Sequence, residues 1–65
     1  MRYVTQLQST ALSSAEYDDE TMQLELTFTS GLSFTYENVP MSVFERLRDD
    51  PSPGSFYHRE IKNRY

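Results

Sequence analysis

The chain has no cysteine and no tryptophan, only two glycines and three prolines, one histidine, and six basic residues against ten acidic ones among 65. Without cysteine there is neither a disulfide framework nor a thiolate metal site, which suits a reducing compartment and makes the cytoplasm the expected location. No apolar run approaches the roughly 20 residues of a membrane helix, and Met1-Arg2-Tyr3-Val4-Thr5-Gln6-Leu7-Gln8 lacks the apolar core of a signal peptide, so no membrane partner is expected. The acidic cluster Asp18-Asp19-Glu20 lacks the alternating spacing and the glycine of a calcium loop, and the lone histidine offers it no help, so no metal and no cofactor are expected. A chain this short buries only about 60% of its unfolded surface, which favours one small domain without a deep catalytic cleft.

What the chain does have is nine aromatic residues, whose large contact area must carry the core of an otherwise lean sequence. Its charge is uneven. Residues 1–45 hold one arginine against seven carboxylates, a net −6, whereas residues 46–65 hold Arg46, Arg48, Arg59, Lys62 and Arg64 against Asp49, Asp50 and Glu60, a net +2. The overall charge of −4 speaks against a general nucleic-acid binder, but the C-terminal concentration of cations leaves two readings open, a local anion-binding patch or a solvated helical face.

Hydrophobic periodicity changes at Asn38-Val39-Pro40, from strand-like before it to helical after it. Met22–Phe28 alternates apolar and polar residues, and Leu32, Phe34 and Tyr36 do the same beyond Ser30-Gly31. A three-residue loop, Thr29-Ser30-Gly31, opposes Phe28 to Leu32, Leu26 to Phe34 and Leu24 to Tyr36, keeping both apolar sets on one face; a two-residue loop would separate them. Gly31 is therefore expected in the left-handed conformation, with Phe34 and Tyr36 on the buried face. A preceding strand over about Leu12–Tyr17, joined by Asp18-Asp19-Glu20-Thr21, would set Ser13, Ala15 and Tyr17 beside Leu26, Leu24 and Met22. Residues 1–8 read as an N-terminal extension or an extra strand before a domain over 9–65.

Downstream, Pro40 suits the first position of a helix, and Ser42-Val43-Phe44-Glu45 fits a capping box two residues later. Val43, Phe44 and Leu47 share the stripe that would cover the sheet. Asp49-Asp50-Pro51-Ser52-Pro53-Gly54 ends this helix, and Ser55 is expected to cap a short second one through Ile61, with Tyr57 and Ile61 on one face and Arg59, Lys62 and Asn63 outward. The expected fold class is α+β, a three-stranded antiparallel meander followed by one or two short helices packed on one face.

Three kinds of chemistry follow. Pro51-Ser52-Pro53-Gly54-Ser55 before a helix, with Arg59 and Lys62 one and two turns on, has the outline of an anion-binding loop, although Pro53 removes a donor; the alternative is an ordinary interhelical turn. Tyr36, Phe56, Tyr57 and Tyr65 are candidates for a base-stacking platform, or else core. His58 near Ser52 and Ser55 lacks a nucleophile elbow, so no catalytic residue and no enzymatic activity are expected.

The ordered set Tyr17-Asp18, Leu24, Leu26, Phe28, Gly31, Phe34-Thr35-Tyr36, Val39-Pro40, Val43, Leu47, Ser52-x-Gly54-x-Phe56-Tyr57-His58-x-x-Ile61-Lys62-x-x-Tyr65 resembles the KTSC domain, found at the C-terminus of some lysyl-tRNA synthetases and in small bacterial and phage proteins. The family's usual Tyr-x-Tyr becomes Phe34-x-Tyr36 here, and His58 and Lys62 stand where Asn and Arg are common. The resemblance implies a β-meander packed by helices and RNA binding. The resulting expectation is a non-catalytic RNA- or nucleotide-binding module contacting its ligand through Ser52, Gly54, Tyr57, His58, Arg59 and Lys62, with Gly31, Phe34, Tyr36 and Pro40 structural. The competing expectation is a protein-interaction module that self-associates into a homo-oligomer through an open edge strand, including a phage-type protein that sequesters a nucleotide signal between subunits.

Overall fold

The computed structural model describes residues 1–65. Four antiparallel strands, β1 (Arg2–Gln6), β2 (Leu12–Asp18), β3 (Gln23–Phe28) and β4 (Ser33–Tyr36), form one sheet in the order β1-β2-β3-β4. Helix α1 (Met41–Asp49), the single turn α2 (Pro53–Phe56) and a π-helical turn, Tyr57–Ile61, follow. The fold is α+β as expected, but the meander has a fourth strand. Arg2–Gln6 pairs along β2 with Tyr3 opposite Tyr17 and Thr5 opposite Ala15, so the first residues are part of the sheet.

The β3–β4 hairpin has the expected register, Leu24 opposite Tyr36 and Leu26 opposite Phe34. The Phe28 N–H donates to the Leu32 carbonyl, the Gly31 N–H donates to the Phe28 carbonyl, and Gly31 sits at φ +96°. A Cβ at Gly31 would meet nothing within 4 Å, so glycine is required there by backbone conformation alone.

The β2–β3 register differs from expectation by two residues: Ala15 faces Leu26 and Tyr17 faces Leu24. Asp18 is the last paired residue rather than the first of the loop. Its carbonyl accepts the Met22 N–H and its carboxylate the Glu20 N–H, while Met22 takes a left-handed conformation to close the turn. A shift of two preserves the face on which every side chain falls, so the inward set survives the error. Ser13 was expected inward beside Leu26. Instead it is the extra residue of a bulge between the Leu12–Phe28 and Ser14–Thr27 pairs, and the change of parity turns Leu12 fully into the core.

Helix α1 lays Val43, Phe44 and Leu47 on the sheet, with the Phe44 ring stacked on Tyr17 at 5.4 Å between centroids. The buried Tyr17 hydroxyl donates to the Val39 carbonyl at 2.5 Å, fixing the entry to the helix to the middle of the sheet. Pro40 precedes the first turn at the cap position, with extended backbone, and Ser42 lies inside the helix; neither expected start is the one used. The second helical segment begins at Pro53, with Ser52 before it, three residues earlier than a Ser55 cap would allow. Proline at the first position has no N–H to leave unpaired, which is why the earlier start wins.

Phe56 and Ile61 are both fully buried although five residues apart. In an α-helix five residues turn through about 500°, some 140° beyond alignment. The wider turn closed by the Lys62 N–H donating to the Tyr57 carbonyl, 2.8 Å, brings both to the same side.

The inward alternation of β4 is not matched by burial. Phe34, expected in the core, is 49% exposed, and Leu32 is 60% exposed. Both point to the helix-covered side of the sheet but lie past the end of what the helices cover. No helix is long and apolar enough to cross a membrane.

Candidate functional site

The open side of the sheet carries the residues that alternate with the core set: Arg2 and Val4 on β1, Glu16 and Asp18 on β2, Glu25 and Thr27 on β3, Ser33 and Thr35 on β4. Arg2 is held by Glu16 and lies 3.9 Å from Asp18. This face is acidic and has no aromatic ring, the reverse of a base-stacking sheet.

The six expected ligand contacts divide into two groups. Ser52 and Gly54 line a cleft of about 260 Å³ against Gln8, Ser9 and Thr10. Ser9 Oγ accepts the N–H groups of Ala11 and Leu12, and a Cβ on Gly54 would lie 3.3 Å from that oxygen and 3.7 Å from the Ala11 side chain. Gly54 thus allows α2 to approach the β1–β2 loop closely. The anion position of this loop is taken by the chain's own carboxylate, because Asp50 accepts the Ser52 N–H at 2.7 Å and meets the Arg59 guanidinium at 3.6 Å.

Tyr57, His58, Arg59 and Lys62 lie on the π-helical turn and its end. Tyr57 is half-buried against Phe28 and Tyr36, its ring edge-on to Phe28 at 5.4 Å and its hydroxyl 2.7 Å from that of Tyr36. Burial and the hydrogen bond to Tyr57 push the Tyr36 phenol above its usual range. His58 is exposed, with its ring 5.4 Å from Tyr57 and no serine or carboxylate among its hydrogen-bond partners. The Arg59 guanidinium also donates to the Ser55 carbonyl. Phe56, a stacking candidate from the sequence, is buried with Arg46 over its face at 5.1 Å, and belongs to the core.

The cations differ in how they are held. Arg2, Arg48 and Arg59 each have a carboxylate within 4 Å; Arg46, Lys62 and Arg64 have none, and of these three only Arg46 is held otherwise, over the Phe56 ring. Asn63, at φ +69°, ends the helical segment in a left-handed conformation and turns the chain back. As a result Arg64 and Tyr65 come over the end of β4, where with Thr35, Tyr36, Glu37 and Asn38 they line an open hollow of about 550 Å³. In the sequence Arg64 counts among the C-terminal cations but not among the expected ligand contacts. Its spacing from Glu60 would fit an ion pair on an α-helix, but the helical segment ends at Ile61 and Asn63 reverses the chain, and the two form no ion pair.

Three comparisons bear on this arrangement. The chain is 37% identical over 49 residues to a lysine–tRNA ligase of Trichormus variabilis; the match takes in 75% of this chain and 9% of the ligase, so the chain spans a small fraction of that relative. It is 39% identical over 56 residues to an uncharacterized protein of Stutzerimonas stutzeri, covering 86% of this chain and 79% of that protein. The crystal structure of a KTSC domain protein from Yersinia pestis superposes with a TM-score of 0.91 at 23% identity, over 98% of this chain and 90% of the other, a likeness of fold. The KTSC domain profile matches residues 8–65, and with it the four-stranded sheet, the paired helical segments and the aromatic-x-aromatic strand find one explanation: the chain belongs to the KTSC domain family.

Proposed function

We propose that this chain is a non-catalytic binding module for RNA or a nucleotide, engaged through the C-terminal segment. The observation that carries the reading is the pair of cations with neither a carboxylate nor a ring partner, Lys62 and Arg64, next to the 40%-exposed ring of Tyr65 and the exposed His58. Unpaired cations beside an accessible aromatic face suit a phosphate and its attached base. Arg59 joins them by exchanging its exposed, 3.6 Å pairing with Asp50 for a phosphate oxygen. Tyr57 acts from behind, holding Tyr36 at the rim of the hollow. Ser52 and Gly54 serve the packing of α2 in this reading.

The acidic open face of the sheet supports the same assignment by repelling a polyanion from the alternative surface. Kinship with lysine–tRNA ligases, proteins whose name concerns tRNA, favours RNA over a free nucleotide. A cytoplasmic location goes with such a ligand and with the absence of cysteine.

Fluorescence anisotropy of a labelled single-stranded RNA, titrated at several salt concentrations, tests the proposal. Affinity is expected to fall with salt, and Lys62→Ala with Arg64→Ala to flatten the logarithmic slope by about 0.7 per lost phosphate contact, roughly 1.4 for the pair. Binding with unchanged affinity and slope in the double variant overturns the assignment.

A further inference from the structure

The free edge of β4 differs from most natural sheet edges in carrying no guard of its own, although Arg64 and Tyr65 come over its Tyr36 end. Such edges are normally blunted by charge, proline, a bulge or a covering segment. Between Leu32 and Tyr36 the chain has no charged residue and no proline, in a protein with sixteen Asp, Glu, Lys and Arg residues elsewhere. Leu32 and Phe34 stand 60% and 49% exposed on its inward side. The Phe28–Leu32 hydrogen bond fixes the ladder phase: Leu32, Phe34 and Tyr36 turn their backbone groups to β3, and Ser33 and Thr35 turn theirs outward.

We propose that a second copy of this chain occupies this edge, β4 pairing antiparallel with β4 about a two-fold axis at Phe34. Only Ser33 and Thr35 have outward backbone groups, so Ser33 of each copy bonds with Thr35 of the other, and Phe34 faces Phe34 in a non-hydrogen-bonded pair. This register sets Leu32 against Tyr36 of the second copy on the same side, covering both exposed apolar side chains. It also sets Glu37 against Gly31, so no like charges oppose one another across the axis. The neighbouring registers, centred on Ser33 or Thr35, pair Phe34 with Leu32 or Tyr36 and leave more of the apolar strand uncovered. The four-residue strand buries less than a standard interface, so the dimer dissociates on dilution.

The chain has no cysteine, so an introduced one reports without background. At a non-hydrogen-bonded antiparallel position the two Cα atoms stand about 4.5 Å apart, within disulfide range. Phe34→Cys under mild oxidation is expected to give a linked dimer of twice 7.7 kDa, whereas Val4→Cys, 61% exposed on the opposite edge strand, stays monomeric. Sedimentation of the unmodified protein is expected to change from monomer to dimer with concentration. Phe34→Lys, which sets two cations across the axis, and Thr35→Pro, which removes an N–H that β3 does not use, are each expected to abolish the change; circular dichroism identifies a variant that fails to fold, and the other then decides. A protein that remains monomeric at millimolar concentration overturns the proposal, as does equal crosslinking of the two cysteine variants or dimerisation unaffected by the folded variant.

Discussion

The two ends of the sheet's inward face are built alike and end up differently. Over β2 and β3, Leu12, Ala15, Tyr17, Leu24 and Leu26 alternate inward and are at most 1% exposed, because α1 and the α2 segment lie across them. At β4 and just before it, Phe34 and Leu32 alternate inward by the same rule and remain 49% and 60% exposed. Alternation therefore decides which way a side chain points, and helix coverage decides whether it is buried. In a chain this short the helices cover the middle of the sheet and stop, leaving an apolar strand edge on one flank and, beside it, Lys62 and Arg64, the two cations with neither a carboxylate nor a ring partner.

The contrast is broken most severely from the packed end. Phe56→Ala removes a 1%-exposed ring between the helical segments and the sheet, at about 3–5 kcal/mol. Against a total stability of about 5–15 kcal/mol, near its lower end for a small domain, that variant is expected to be largely unfolded at 25 °C by circular dichroism. Gly31→Val forces a branched residue into φ +96° and is expected to cost about 1–3 kcal/mol, seen as a lowered thermal midpoint. An unchanged midpoint would contradict the hairpin geometry. Tyr17→Phe leaves the fully buried Val39 carbonyl without its donor, and a loss of about 1–3 kcal/mol is expected in chemical denaturation.

A subtler test lies at the boundary between the two regions. Burial, then the bond to Tyr57, raises the Tyr36 phenol in the folded state, while an unfolded tyrosine ionises near 10. The unfolded chain therefore releases this proton first as pH rises. The associated stability is fully present below about pH 10 and is lost through the folded-state value above it. Denaturant midpoints followed into that alkaline range are expected to decline less steeply in Tyr36→Phe than in the parent chain. At the uncovered end, Phe34→Ser is expected to cost only about 1 kcal/mol, since half of the ring is already in water and the rest meets Phe28 edge-on at 5.6 Å. A large loss there would mean that β4 is packed as tightly as β3.

Much of this contrast was legible in the residues themselves. The β3–β4 register follows from parity plus the demand for glycine in its turn, both local features. Val43, Phe44 and Leu47 follow from helical spacing. β1 was ambiguous because Val4, its most apolar interior residue, faces outward, so the strand does not alternate as a half-buried strand should. The Ser13 bulge was hidden, since one extra residue inverts the parity on which the reading depends. Phe34's exposure is a tertiary fact, set by where the helices stop. The candidate site was legible only in outline. Sequence placed the cations together, but Asp50's hold on Ser52 and Arg59 and the absence of a Glu60–Arg64 pair depend on a tight interhelical turn and on the helix ending at Ile61 with Asn63 left-handed, which spacing rules for α-helices do not foresee.

The most direct test of the account is an amide chemical-shift titration of the isotopically labelled protein with a short single-stranded RNA at low salt. The account predicts shifts concentrated at Tyr57–Tyr65 and at Tyr36–Asn38, with Glu16, Asp18 and Glu25 on the open sheet face unmoved. Shifts centred on that acidic face, or none at RNA concentrations that saturate other single-strand binders, would contradict it.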